Sequence, residues 1–176
     1  MAARRVIGML GHPLAAPSAN SSGRISPTTA RSVLDDLGDK LPLVLDGGPC
    51  PVGLESTIIK VDGEQVRLLR PGAITAEAIE AVLGLPVERI DQRAAIEAPG
   101  MLQSHYAPKA RVRLNAMSVR TGEALLAFGA RRAQGAEHAS AMLNLSESGN
   151  LNEAAANLFG HLSELDKCNS AMIAVE

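Results

Sequence analysis

Asp62-Gly63 separates two apolar runs, Ser56–Val61 (STIIKV) and Val66–Leu69. An Asp-Gly step between β-branched segments is a strong hairpin signal, so the two runs are expected to pair antiparallel. Arg70-Pro71-Gly72 closes the second strand, Thr75 is placed to cap a helix over about Ala76–Leu83, and Gly84 is placed to end it. A hairpin running straight into a capped helix restricts the chain to an α/β arrangement with some antiparallel pairing.

Upstream, MAARRVIGML reads as the tail of a helix with Val6, Ile7 and Leu10 on one side. The apolar run Leu14–Ala16 reads as a strand that breaks at Pro17 into a loop of small polar side chains. Ser26 is expected to be an N-cap and Pro27 the first helical residue, with Val33, Leu34 and Leu37 on one face and Gly38 ending the helix. A Ser/Asn/Gly loop before a helix start suits an anion such as phosphate, with Ser18, Asn20, Ser22 and Ser26 as donors and Arg24 as a charge. The same hydroxyls also serve as ordinary caps and turn residues. Leu41–Leu45 is expected to be a short buried strand leading into the sharply shaped Asp46–Pro51 loop.

From Leu85 to Pro108 the periodicity fades, and the segment reads as an interdomain linker carrying Tyr106, the single tyrosine. That ring suits either a docking anchor or a lid over a ligand. A second α/β pattern follows. It comprises a strand at Arg111–Leu114, a helix near Ser118–Leu126, a strand-like LLAFG, a strand at Ala141–Leu145 and an amphipathic helix over Leu151–Leu165. The last apolar run, Ala171–Val175, has no closing element after it, as expected of a cut domain.

With 176 residues, 46% of them hydrophobic, the chain has material for a core. Its net charge of −2 gives no global field for nucleic acid, and two Phe and one Tyr make few base-stacking platforms. Cys50 and Cys168 lack metal-ligand spacing and suit a reducing cytoplasm. No apolar run reaches the roughly 18 residues that span a bilayer. Walker, nucleophile-elbow and His-Glu-x-x-His motifs are absent, and His12, His105, His138 and His161 are scattered, so no protein-held metal and no catalytic side chain are expected. Asp35 and Asp36 point apart on their helix, and Asp166-Lys167-Cys168 reads as a solvated helix end. The polar loops that remain carry Ser18, Asn20, Ser26, Asp46-Gly47-Gly48, Ser56, Thr57 and Arg70, and in open α/β sheets such loops converge on a ligand crevice. Arg70 fits a phosphate clamp or a surface ion pair.

PSANSSGRISPTTA (Pro17–Ala30), LDGGPCPVGLESTI (Leu45–Ile58), RLLRPGAIT (Arg67–Thr75) and APGMLQSHYAP (Ala98–Pro108) together resemble the longer, two-domain form of L-threonylcarbamoyladenylate synthase, of the YrdC-type family. The resemblance implies the C-terminal half of a YrdC-like twisted mixed sheet in residues 1–90, a linker in 91–109, and an incomplete Rossmann-like α/β domain in 110–176. It implies condensation of L-threonine, bicarbonate and ATP (with Mg²⁺) into threonylcarbamoyl-AMP, with release of pyrophosphate. The product would pass to the transferase machinery that modifies the adenosine next to the anticodon in certain tRNAs. Carried over by motif, Ser18, Asn20, Ser26, Arg70 and Tyr106 correspond to ATP-binding positions, and Ala16, Ser56 and Thr57 to threonine-binding positions.

The family's N-terminal half, with its Lys/Arg-rich triphosphate motif, has no counterpart in these 176 residues. The expectation is a cytoplasmic synthase lineage whose activity is impaired in this chain, with apolar strand edges left uncovered. The competing reading is a non-catalytic nucleotide- or double-stranded-RNA-binding module. The near-neutral charge and the lack of a Lys/Arg cluster weigh against it.

Overall fold

A computed structural model describes residues 2–89 and 107–176. The chain is α/β and falls into two compact units, Leu54–Ala107 and the pair of segments Met1–Gly53 and Pro108–Glu176.

In the first of these, β1 (Ile58–Asp62) pairs antiparallel with β2 (Gln65–Arg70), with Asp62 opposite Gln65 and an irregularity between Ile58 and Ile59. Gly63 at φ 60° makes the turn, as Asp-Gly predicts. Helix α3 (Ala76–Leu83) follows with the expected ends: Thr75 Oγ1 accepts from the Ala78 N–H at 3.2 Å, and Gly84 sits left-handed at φ 67°. The chain then returns as β3 (Val87–Arg89), parallel to β2 with Val87 opposite Val66. Val66, Ala76 and Val87 form the small core, with Leu68 and Ile79 against it. Strand β3 lies where the sequence pattern fades, because it shows only one inward apolar residue and is too short for an alternation to register.

The larger unit holds a fully parallel sheet in the order β4-β7-β5-β6, made of Arg111–Arg113, Met172–Val175, Ala124–Ala127 and Met142–Asn144. All four residues of β5 are 0% exposed. Ala124 and Leu126 pack with Leu145, Ala154, Leu165 and Ile173 on one face, and Leu125 and Ala127 with Ala116, Val119 and Ala174 on the other. Helix α4 (Leu151–Lys167), capped by Asn150, covers the first face with Ala154, Leu158, Leu162 and Leu165, as its periodicity predicts. The second face is covered by the segments around Ala116–Val119 and Ala133–Ala139.

The N-terminal segment contributes α1 (Ala2–Leu10), in the expected place, and α2 (Ala30–Leu37), which ends at Gly38 as predicted. Four expectations are overturned. Helix α2 is capped by Thr29, whose Oγ1 accepts from the Ser32 N–H at 3.1 Å, and not by Ser26. The Thr28 carbonyl accepts from the Cys50 N–H at 2.8 Å, so it is taken before a helical ladder can use it. Leu14–Ala16 and Leu41–Leu45 form no strand: Leu14, Leu43 and Leu45 are 47%, 72% and 60% exposed, and no partner strand pairs them among the described residues. The helix near Ser118–Leu126 is replaced by a turn at Thr121-Gly122 and the start of β5. Gly122 at φ 84° breaks any helix there, and Glu123 turns inward. Among the described residues no helix is long and apolar enough to cross a membrane.

Glu123 is 5% exposed and is held by Arg113 through Nε at 3.2 Å and Nη2 at 2.5 Å, and by the Arg120 N–H at 2.9 Å. The Arg113 guanidinium holds its carboxyl below the usual value of 4.5, against the opposing effect of burial. A depressed folded value means stability that is present above about pH 4.5 and lost as pH falls through the lowered value. We expect Glu123→Gln to cost about 1–3 kcal/mol at pH 7 in urea titrations, and to remove part of the acid-dependent loss.

Candidate functional site

The candidate residues fall into two groups, one in each unit. In the unit Leu54–Ala107, Arg70 stands at the end of β2, and its side chain is 12% exposed. Its Nε donates to the Ser56 carbonyl and its Nη2 to the Ser56 hydroxyl, each at 2.9 Å, and Glu55 Oε2 lies 3.7 Å from Nη2. Two bonds to one residue, with a carboxylate beside them, fix the plane of the guanidinium. Thr57 Oγ1 donates to the Ile74 carbonyl at 2.7 Å and accepts from the Ile74 N–H at 3.1 Å. Between these contacts sits Gly72, where a Cβ would overlap the backbone of Glu55, Ser56 and Thr57. Ser56, Thr57 and Arg70 are therefore brought together by two loops stitched at backbone distance.

In the other unit lie Ala16, Ser18, Asn20 and Ser26. Asn20 Nδ2 donates to the carbonyls of Ser21 at 3.1 Å and Arg24 at 3.0 Å, closing a turn that contains Gly23 at φ 79°. Asn20 Oδ1 is buried and has no hydrogen-bond partner among the described residues. Ser26 is 9% exposed, whereas Ala16 and Ser18 face solvent. Ser21 N–H and Oγ donate to Asp36 at 2.5 and 2.8 Å, anchoring the loop to α2. The Ser21 backbone N–H, and then its hydroxyl, hold the Asp36 carboxyl below its usual value against partial burial. Tyr106 lies outside the described residues. No group of three His, Cys, Asp or Glu residues among the described residues is placed to hold a metal ion.

Gly72, Ser21 and Asp36 do not stand out in the sequence. Gly72 follows Pro71 and reads as a turn residue, yet its backbone needs no left-handed angle. It is glycine because of the space. Asp36 acts on a residue fifteen positions away, and no local pattern announces that.

Both parts of the chain match family models, one described as "Telomere recombination" over residues 2–72 and the other as "Threonylcarbamoyl-AMP synthase, C-terminal domain" over residues 74–176. The chain belongs to the threonylcarbamoyl-AMP synthase family. It is similar to the threonylcarbamoyl-AMP synthases of Bacillus subtilis (48% identity over 103 residues, 57% of this chain and 30% of that protein) and Schizosaccharomyces pombe (42% over 118 residues, 62% and 29%). It is also similar to that of Pyrococcus abyssi (41% over 114 residues, 62% and 34%). Its structure resembles the crystal structure of P. abyssi Sua5 complexed with L-threonine, with TM-score 0.78 and 30% identity, covering 98% of this chain and 54% of the other. The chain thus spans about a third of the length of the curated synthases it matches.

The stitching at Gly72 has a direct test. Gly72→Ala forces backbone apart on both sides of the contact, and we expect amide chemical shifts to move at Ser56, Thr57 and Ile74 while those of β5 and β7 stay in place. An unchanged spectrum around Thr57 would contradict the close approach.

Proposed function

We propose that this chain is part of a cytoplasmic threonylcarbamoyl-AMP synthase, with residues 1–90 and 110–176 as two domains joined by 91–109. The reaction joins L-threonine, bicarbonate and MgATP. The threonine amine adds to the carbon of bicarbonate with loss of water, the resulting N-carboxy-threonine attacks the α-phosphorus through its new carboxylate, the bond to the β-phosphate breaks, and pyrophosphate leaves. The product serves a downstream tRNA-modification transferase. The observation that carries this reading is the fixed guanidinium of Arg70, seated on Ser56 within the chain's family motifs.

A cation whose orientation is set in advance offsets the charge that develops at the α-phosphorus without reorganising. Ser56 and Thr57 lie beside it and are assigned to threonine, together with Ala16. The P. abyssi relative was crystallised with L-threonine, which supports that substrate class. Ser18, Asn20, Ser26 and Tyr106 are assigned to ATP, and the buried, unpartnered Asn20 Oδ1 is an acceptor suited to a donor group on a ligand. Mg²⁺ arrives with the nucleotide, coordinated by its phosphates. No side chain is assigned as a general base, so catalysis rests on positioning and on charge. Because the matched stretch is about a third of each curated relative, this span measured alone is expected to bind ATP more weakly than micromolar and to turn over slowly.

The test is pyrophosphate release with threonine, bicarbonate and ATP, omitting each in turn. Release that requires all three supports the synthase, and Arg70→Ala should then lower the rate by about 10²-fold or more, with Arg70→Lys recovering little of it. Salt-sensitive tRNA binding without turnover would instead identify a binding module. Micromolar ATP affinity would refute the expected weakness.

A further inference from the structure

Helix α4 has a second face besides the one on the sheet. Ala156, Gly160, Glu164 and Lys167 recur every three or four residues along it, so they share one side. The segment before Leu54 sits on that side. Gly53, left-handed at φ 70°, comes so close to Ala156 that a Cβ there would meet the Ala156 backbone. A Cβ on Gly160 would stand 3.3 Å from Thr28 Oγ1. Two turns further on, Lys167 Nζ donates to Asp35 Oδ2 at 2.8 Å and to Glu164 Oε1 at 2.7 Å. The Cys50–Thr28 backbone bond ties together the two strips of chain that α4 touches.

Asp35 and Asp36 are neighbours on α2, and successive helical residues point about 100° apart. Asp35 turns to Lys167, and Asp36 turns to the N–H and hydroxyl of Ser21. We infer that this pair of carboxylates is a bracket that joins the Ser18–Ser26 loop to α4, making Asp35, Asp36, Gly160 and Lys167 positioning residues for that loop. Helix α4 thereby sets the shape of a polar loop that lies far earlier in the chain, within the same compact unit. An ion pair whose side chains are 44% and 28% exposed contributes little by itself, so the close approaches at Gly53 and Gly160 hold the segment down and Lys167 sets its rotation. Only the assignment of the loop to ATP rests on the proposed function.

Hydrogen–deuterium exchange on the full chain without ligand tests the bracket. In Gly160→Leu, amides of Ala19–Ile25 and of α2 should exchange at least tenfold faster, while β5 and β7 keep their protection. Asp36→Ala should speed the loop alone, and Lys167→Met should speed α2 about threefold. Unchanged loop exchange in Asp36→Ala, or in Gly160→Leu with the sheet intact, overturns the inference. Should Gly160→Leu unprotect the sheet as well, Lys167→Met decides, and unchanged exchange in α2 then overturns it. Titration of wild type with ATP to millimolar concentration separates the two proposals: the predicted exchange pattern with no binding even there leaves the bracket standing and removes the assignment of the loop to ATP.

Discussion

Strand β5 sets the terms for the larger unit. Ala124–Ala127 are closed off from water on both faces, which is the usual condition of a parallel strand and requires cover on each side. Burial of Leu125 and Leu126 contributes on the order of 1.5–3 kcal/mol for each side chain relative to exposure. Helix α4 supplies one cover, and in doing so its orientation is fixed by Ala154, Leu158, Leu162 and Leu165. The opposite side of that helix is then a rigid platform, and Thr28, Asp35 and Gly53 come to rest on it.

Close backbone approach recurs at the polar loops. At Gly72 and at Gly53 a methyl group would collide with main chain, where nothing can rotate out of the way. The Arg70 guanidinium and the Thr57 hydroxyl can bridge two loops only because those loops nearly touch. Arg70 has limited freedom in this arrangement, since Ser56 engages it twice and Glu55 stands beside it.

Where chemistry is local, the sequence announces the structure. The Asp62-Gly63 hairpin, the Thr75 cap, the Gly84 stop and the apolar stripe of α4 each depend on residues within a few positions of one another, and each appears where the pattern puts it. The failures at Ser26 and Leu41–Leu45 depend on residues far along the chain. Ser26 loses the cap to Thr29 because Cys50 claims a carbonyl in between, and Leu41–Leu45 lacks a neighbour to pair with among the described residues. The apolar window around Ser118–Leu126 fits a helix until Gly122 and the inward Glu123 break it. The same limit holds for the polar residues: Ser56 and Arg70 are visible as motif residues, but their mutual bonds, and the anchoring of Ser21 by Asp36, exist only once the fold has formed.

The sheet order also bears on how the protein is made. Strand β7 is the last of the described strands in the sequence, yet it lies inside the sheet, between β4 and β5. As the chain emerges from the ribosome, β5 and β6 can meet early, but β4 has to wait, unpaired, until residues 172–175 are synthesised. Such distant partners slow folding and leave a strand edge open to other molecules in the meantime. A nascent chain paused before Met172 would therefore expose Arg111–Arg113 as a ready target for chaperones.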